Sequence, residues 1–168
     1  EELVTPILNF LLTRDIHMDA FIGGKGYTPI QCVETAQKLT VPSSIKNYII
    51  TTRTRLDNIL QFIHENQLKV QKMTLNFYPA ADGTLIDRET VRKFLVSNPS
   101  ITTVCGGYNN LEFTRADANK GVGLRKLAEI LGVNPDATMA IGDTENDLAI
   151  IEAAGIGVAM GNATDAVK

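Results

Sequence analysis

The sequence predicts an α/β protein in two parts: an α+β unit over residues 1–113, then part of a doubly wound parallel sheet over residues 114–168. Three patterns predict it. Up to about Phe113, helix-period and strand-period segments are mixed without a repeating order. Past Arg115 they alternate as helix, strand, helix, strand, the signature of parallel strands joined by crossover helices. Within that alternation the apolar run Met139-Ala140-Ile141 stops at Gly142-Asp143, just before a helix start rich in acids and an amide.

The chain opens on an amphipathic helix from Leu3 to Arg14, because Leu3, Ile7, Leu8, Leu11 and Leu12 recur at helical spacing. Ile16 to Ile22 alternates as a strand, and Gly23-Gly24-Lys25-Gly26 breaks it with a flexible turn. That glycine run lacks the spacing of a phosphate-binding loop and the Ser/Thr after its lysine. A helix is expected from Pro29, a good first-turn residue, to Leu39. Arg55 to Glu65 places Leu56, Ile59, Leu60 and Ile63 on one helical face, and Val70 to Tyr78 is a strand with Met73, Leu75 and Phe77 on one side. Asp87 to Val96 is helical. Ile101–Cys105 and Leu111–Thr114 form a hairpin across Gly106-Gly107-Tyr108-Asn109-Asn110. The second part holds a helix over Lys120–Leu131, a strand over Thr138–Ile141, a helix over Glu145–Ala154, a strand over Ile156–Ala159 and the start of another helix.

A length of 168 residues suffices for a real hydrophobic core, and 44% apolar with 21% charged residues is ordinary soluble composition. A formal net charge of −3 with no Lys/Arg cluster argues against nucleic-acid binding. The apolar runs are too short to cross a bilayer, and no basic stretch precedes an apolar signal core, so no membrane partner and a cytoplasmic location are expected. Cys32 and Cys105 lack metal-ligand spacing and read as buried free thiols. His17 and His64 have no partner at ligand spacing and read as ordinary core or surface residues.

The chemistry concentrates in the second part. Ligands of an open parallel sheet bind outside the carboxyl ends of its strands, and Asp143 falls at such an end. A hard cation such as Mg²⁺ takes one or two carboxylates with waters and substrate phosphate. Asp143 and Asp147 offer two carboxylates around a helix start, with Asn146 between them. Capping by Asp143 or Thr144 would explain Gly-Asp alone, but Asn146 and Asp147 in register favour a site. Lys120 stands at a helix N-terminus, where a cation is disfavoured unless an anion compensates; a bound phosphate is such an anion. Gly121 beside it would let a ligand approach the backbone. Gly155 to Asn162 reads as structural, and Asp82-Gly83 as a turn.

Leu111-Glu112-Phe113, Asn119-Lys120-Gly121 and Gly142-Asp143-Thr144-Glu145-Asn146-Asp147 together resemble the closing half of a haloacid dehalogenase-like (HAD) phosphatase of Cof type. The resemblance implies an α+β cap over residues 1–113 and a partial HAD core over 114–168. It implies a Mg²⁺-dependent phosphatase of a small phosphorylated metabolite such as a sugar phosphate, working through an aspartyl-phosphate. By that likeness Lys120 holds the phosphate and the nucleophile, Asp143 ligates the metal, Asn146 contacts the phosphate and Asp147 supports the metal site. The family's Asp-x-Asp nucleophile pair has no match: Ala81-Asp82-Gly83-Thr84-Leu85 imitates its tail, but Ala80 stands at the nucleophile's position.

The chain therefore reads as cap plus partial core of a longer protein, with little turnover alone and possible self-association through the exposed cut face of the sheet. Two other readings stay open: a non-catalytic binding module of the same fold, and a phosphomutase.

Overall fold

The computed structural model describes residues 3–105 and 109–168. The chain forms α1 (Val4–Leu11), β1 (His17–Ile22), β2 (Lys25–Pro29), α2 (Thr35–Lys38), α3 (Ser43–Thr52), β3 (Thr54–Leu56), α4 (Ile59–Glu65), β4 (Lys72–Asn76), α5 (Arg88–Val96), β5 (Ile101–Val104), β6 (Asn110–Arg115), α6 (Lys120–Leu131), β7 (Met139–Gly142), α7 (Leu148–Ala153) and β8 (Ile156–Ala159). Two sheets result. A six-stranded sheet of order β3-β2-β1-β4-β6-β5 is antiparallel except for the β2/β3 pair, and a separate two-stranded sheet pairs β7 with β8 in parallel.

Strand alternation divides the large sheet into an apolar and a polar face. Met18, Ala20 and Ile22 of β1, Met73 and Leu75 of β4, and Leu111 and Phe113 of β6 join one buried cluster with Ile7, Leu8 and Leu11 of α1, Ile59 and Ile63 of α4, and Val91 and Leu95 of α5. This is the main core. On the opposite face of β1, His17 and Asp19 are each 1% exposed. Thr28 donates to Asp19 Oδ1, which His17 Nε2 also approaches at 3.4 Å, and Arg53 Nε donates to Oδ2 at 3.0 Å. His17 Nδ1 meets the Cys32 carbonyl at 3.0 Å, so the histidine is indeed a core residue, while exposed His64 bonds Thr5.

Several expected boundaries move. The glycine run is a tight two-residue hairpin turn, with Gly23 and Gly24 at φ 57° and 76° and Ile22 opposite Lys25; both central residues need positive φ, which glycine adopts without strain. Lys25 and Gly26 thus begin β2. The helix expected from Pro29 to Leu39 is instead the end of β2, a 3₁₀ turn over Ile30–Cys32 and the short α2. Helix α3 and strand β3 were not expected: α3 buries only Ile49, leaving Ile45 and Tyr48 exposed, so its apolar stripe is faint. Helix α4 starts at Ile59 behind an Asn58 cap that accepts from the Gln61 amide, four residues past the expected Arg55.

The β5/β6 hairpin forms with Ile101 opposite Arg115, though Gly106, Gly107 and Tyr108 of its turn lie outside the described residues. Cys32 is buried and free, and burial pushes its thiol up to about 11; Cys105 is free but exposed, against expectation. After β8, residues 160–168 fold as turns rather than a helix. No helix among the described residues is long and apolar enough to cross a membrane.

Candidate active site

The site is built at the carboxyl end of β7. Gly142 ends the strand opposite Ala159 of β8, so the chain leaves both parallel strands on one side of the small sheet. A 3₁₀ turn over Glu145–Asp147 follows, closed by a bond from the Asp147 amide to the Thr144 carbonyl at 2.8 Å, and only then does α7 begin. This turn folds the Asp147 side chain back on the strand end, where Oδ2 lies 3.3 Å from the Asp143 amide.

Helix α6 brings Lys120 to the same place. Asn119 caps the helix by accepting from the Val122 amide at 2.9 Å, which fixes where Lys120 leaves the backbone. Lys120 Nζ donates to Asp147 Oδ1 at 2.5 Å. The structure thus joins Lys120 to Asp143 through Asp147. The anion that compensates a lysine at this helix start is, in the protein itself, the Asp147 carboxylate. That ammonium holds the Asp147 carboxyl below the usual carboxylate value of 3.8.

Gly121 has a role other than ligand approach. It is buried, and a Cβ there would run into the backbone carbonyl of Ala149 on α7. The glycine sets the close packing of α6 on α7 and so the reach of Lys120 to Asp147.

The remaining polar groups sort by their bonds. Thr144 Oγ1 donates to Asn146 Oδ1 at 2.6 Å and lies 3.5 Å from Asp147 Oδ2. Asn162, on the loop after β8, donates from Nδ2 to Asp143 Oδ2 at 3.5 Å, and the Thr164 amide donates to the Asp143 carbonyl at 3.0 Å. Both oxygens of Asp147 are engaged by the protein, whereas Asp143 Oδ1 has no partner among the described residues.

No group of three or more His, Cys, Asp or Glu side chains among the described residues is arranged to hold a metal ion. The site offers one open carboxylate oxygen, Asp143 Oδ1, which suits a hard cation that completes its shell with waters and substrate oxygens. It does not fit an all-protein cage.

Thr144 entered the sequence analysis only as a candidate helix cap, and Asn162 was given no role at the site. Asn162 was legible only as part of a Gly-Asn turn, yet it leaves the parallel strand next to β7 at the same sheet end, and that topology is the signal that could have found it. Asp82 lies elsewhere, in an exposed turn where Oδ1 accepts from the Thr84 amide and hydroxyl at 2.9 and 2.7 Å, as the turn reading expected.

The sequence model of the haloacid dehalogenase-like hydrolases matches residues 1–168. The chain belongs to that family. Among characterised members it is 48% identical over 190 aligned positions to the 5-amino-6-(5-phospho-D-ribitylamino)uracil phosphatase YitU of Bacillus subtilis, covering 99% of this chain and 69% of that protein. It is 44% identical over 61 residues to the pyridoxal phosphate phosphatase YbhA of Escherichia coli, covering 36% of this chain and 22% of that protein.

Among solved structures, a haloacid dehalogenase-like hydrolase from B. subtilis superposes with a TM-score of 0.76 at 23% identity, over 99% of this chain and 62% of that one. A HAD subclass IIB sugar phosphatase superposes with a TM-score of 0.69 at 19% identity, over 98% of this chain and 56% of that one. These likenesses carry the fold: a mixed α/β HAD-like architecture. The chain spans only about three fifths of the length of these two structural neighbours.

Proposed function

We propose that the protein is a Mg²⁺-dependent phosphatase of a small phosphorylated metabolite, such as a sugar phosphate, acting in the cytoplasm. Residues 1–113 serve as its cap and residues 114–168 as part of its core. The observation that carries this reading is the bonded chain Lys120–Asp147–Asp143 at one strand end, which gathers an ammonium and an open carboxylate oxygen at the end of a parallel sheet where ligands bind. The family assignment and the phosphatase names of its relatives support it.

Each residue has a separate task. Lys120 places an ammonium on the phosphate oxygens, Asp143 offers Oδ1 to the metal, Asn146 donates to the phosphate, and Asp147 supports the metal site by holding Lys120 and the Asp143 amide in place. Bound Mg²⁺ supplies charge neutralisation of the phosphoryl oxygens. The phosphoryl group passes to an aspartate that these residues do not supply, then to water; Lys120 and the Asn146 amide stabilise charge around that transfer without performing it. Closure of the cap excludes bulk water during the first step.

The test is phosphate release from a broad panel of phosphorylated metabolites by the intact protein, with and without Mg²⁺. Metal-dependent release that falls about a hundredfold or more in Asp143→Asn is expected. Absence of Mg²⁺-dependent release across the panel would count against the proposal.

A further inference from the structure

Asn146 presents two chemically opposite ends: a carbonyl oxygen that repels a phosphate oxygen and an NH₂ group that binds it. In solution the side chain exposes either end. At this site the carbonyl end faces Thr144, whose Oγ1 donates to Asn146 Oδ1 across 2.6 Å; with the amide turned over, Oγ1 would accept from the NH₂ and its own proton would be left only a 3.5 Å contact. The hydroxyl has one proton. Its other near partner, Asp147 Oδ2, is 3.5 Å away and already faces the Asp143 amide at 3.3 Å. The proton therefore goes to Asn146.

We infer that Thr144 is a positioning residue for phosphate binding: its hydroxyl occupies the Asn146 carbonyl and so turns the Asn146 NH₂ toward the bound oxyanion. The inference rests on the phosphatase reading above and assigns a role to a residue which that reading leaves unused. Three further observations agree. Thr144 makes no cap bond to a backbone amide, so its hydroxyl is not spent on starting the helix. Its backbone is extended, at φ −128° and ψ 163°, a conformation that β-branched residues favour and that fixes the hydroxyl's direction. Both groups are partly buried, so the bond competes weakly with water.

Replacement is clean for the same reasons. Thr144→Val keeps the branched shape and removes only the hydroxyl, and Thr144→Ser keeps the hydroxyl. The probe is inorganic phosphate as a competitive inhibitor of the intact protein, read as Ki beside KM and kcat. Thr144→Val is expected to raise Ki about fivefold to tenfold, the size of one ordinary hydrogen bond, with a thermal midpoint lowered by no more than about 4 °C in the absence of phosphate. Thr144→Ser stays within about twofold of the parent. Thr144→Val added to Asn146→Ala has no further effect, because the two residues act as one unit.

Additive effects in the double variant overturn the inference, as does an equal loss in Thr144→Ser. If phosphate binds in a Lys120-dependent manner but ignores both Thr144→Val and Asn146→Ala, the inference fails while the phosphatase reading stands. If Lys120→Met also leaves phosphate binding untouched, both fail together.

Discussion

The carboxylate of Asp147 bridges the ammonium of Lys120, at 2.5 Å, and the backbone amide of Asp143, at 3.3 Å. One side chain thereby fixes both the cation and the strand end that the site needs. The pair also has a defined pH range. Asp147 titrates below its ordinary value of 3.8 because Lys120 favours its charged form, so the stabilisation is complete above that value and is lost as pH falls through the lowered one.

Asp147→Asn is therefore expected to cost about 0.5–1 kcal/mol at neutral pH, the range for a pair with one exposed member. The difference in unfolding free energy from the parent should be flat through neutral and mildly acidic pH and vanish only in strong acid. A difference that instead disappears between pH 5 and 7 would falsify the pairing.

The two glycines of α6 should respond in opposite directions. At Gly121 a Cβ meets the Ala149 carbonyl, which cannot give way without moving α7; at Gly123 nothing lies within 4 Å. Gly121→Ala is expected to destabilise by about 1–3 kcal/mol through overpacking. Gly123→Ala is expected to stabilise by about 0.5–1 kcal/mol through helix propensity. Chemical denaturation of both variants decides it, and equal signs would mean that α6 does not pack on α7 through Gly121.

How much of this the sequence disclosed depends on the range of the forces involved. Helix α6 was legible to the residue, because its apolar period and its cap lie within one segment. Strands β4, β7 and β8 were legible within two residues for the same local reason. Residues 25–56 were not. There Lys25-Gly26 became a strand only by pairing with β1, and the Arg53 side chain lies across Gly26. At the site, the spacing of Asp143 and Asp147 was readable, but not that Asp147 turns inward to Lys120, nor that Asn162 arrives from the neighbouring strand. Those contacts exist only after β7 and β8 pair.

Asp19 gives a second electrostatic test, in the large sheet. Its burial alone would push its carboxyl up, but His17, Thr28 and Arg53 outweigh that and hold it below the ordinary value of 3.8. The carboxylate is thus charged and 1% exposed, with Arg53 as its cationic partner at 3.0 Å. Arg53→Ala strands that charge and should cost about 3–5 kcal/mol. Replacing both, as Asp19→Asn with Arg53→Met, should recover much of the loss. Urea unfolding of the single and double variants measures the coupling, and purely additive costs would remove Asp19 from the account of how residues 32–53 are held to the sheet.

The small sheet carries a prediction about association. On β7, Ala140 is buried while Met139 and Ile141 are 59% and 60% exposed, and Ile156 on β8 is 53% exposed. Parallel sheets normally have both faces covered, and three large apolar side chains on neighbouring strands form a continuous sticky surface. A protein of residues 1–168 is accordingly expected to self-associate as its concentration rises, most strongly at high salt, where apolar contacts gain and charge repulsion is screened. Sedimentation velocity over a concentration series up to about 100 µM would show a rising weight-average mass. Met139→Thr with Ile141→Thr should abolish the rise, because both changes keep a residue suited to a strand while removing apolar area. A monodisperse species at every concentration, or association that persists in the double variant, would mean that this face is not the contact.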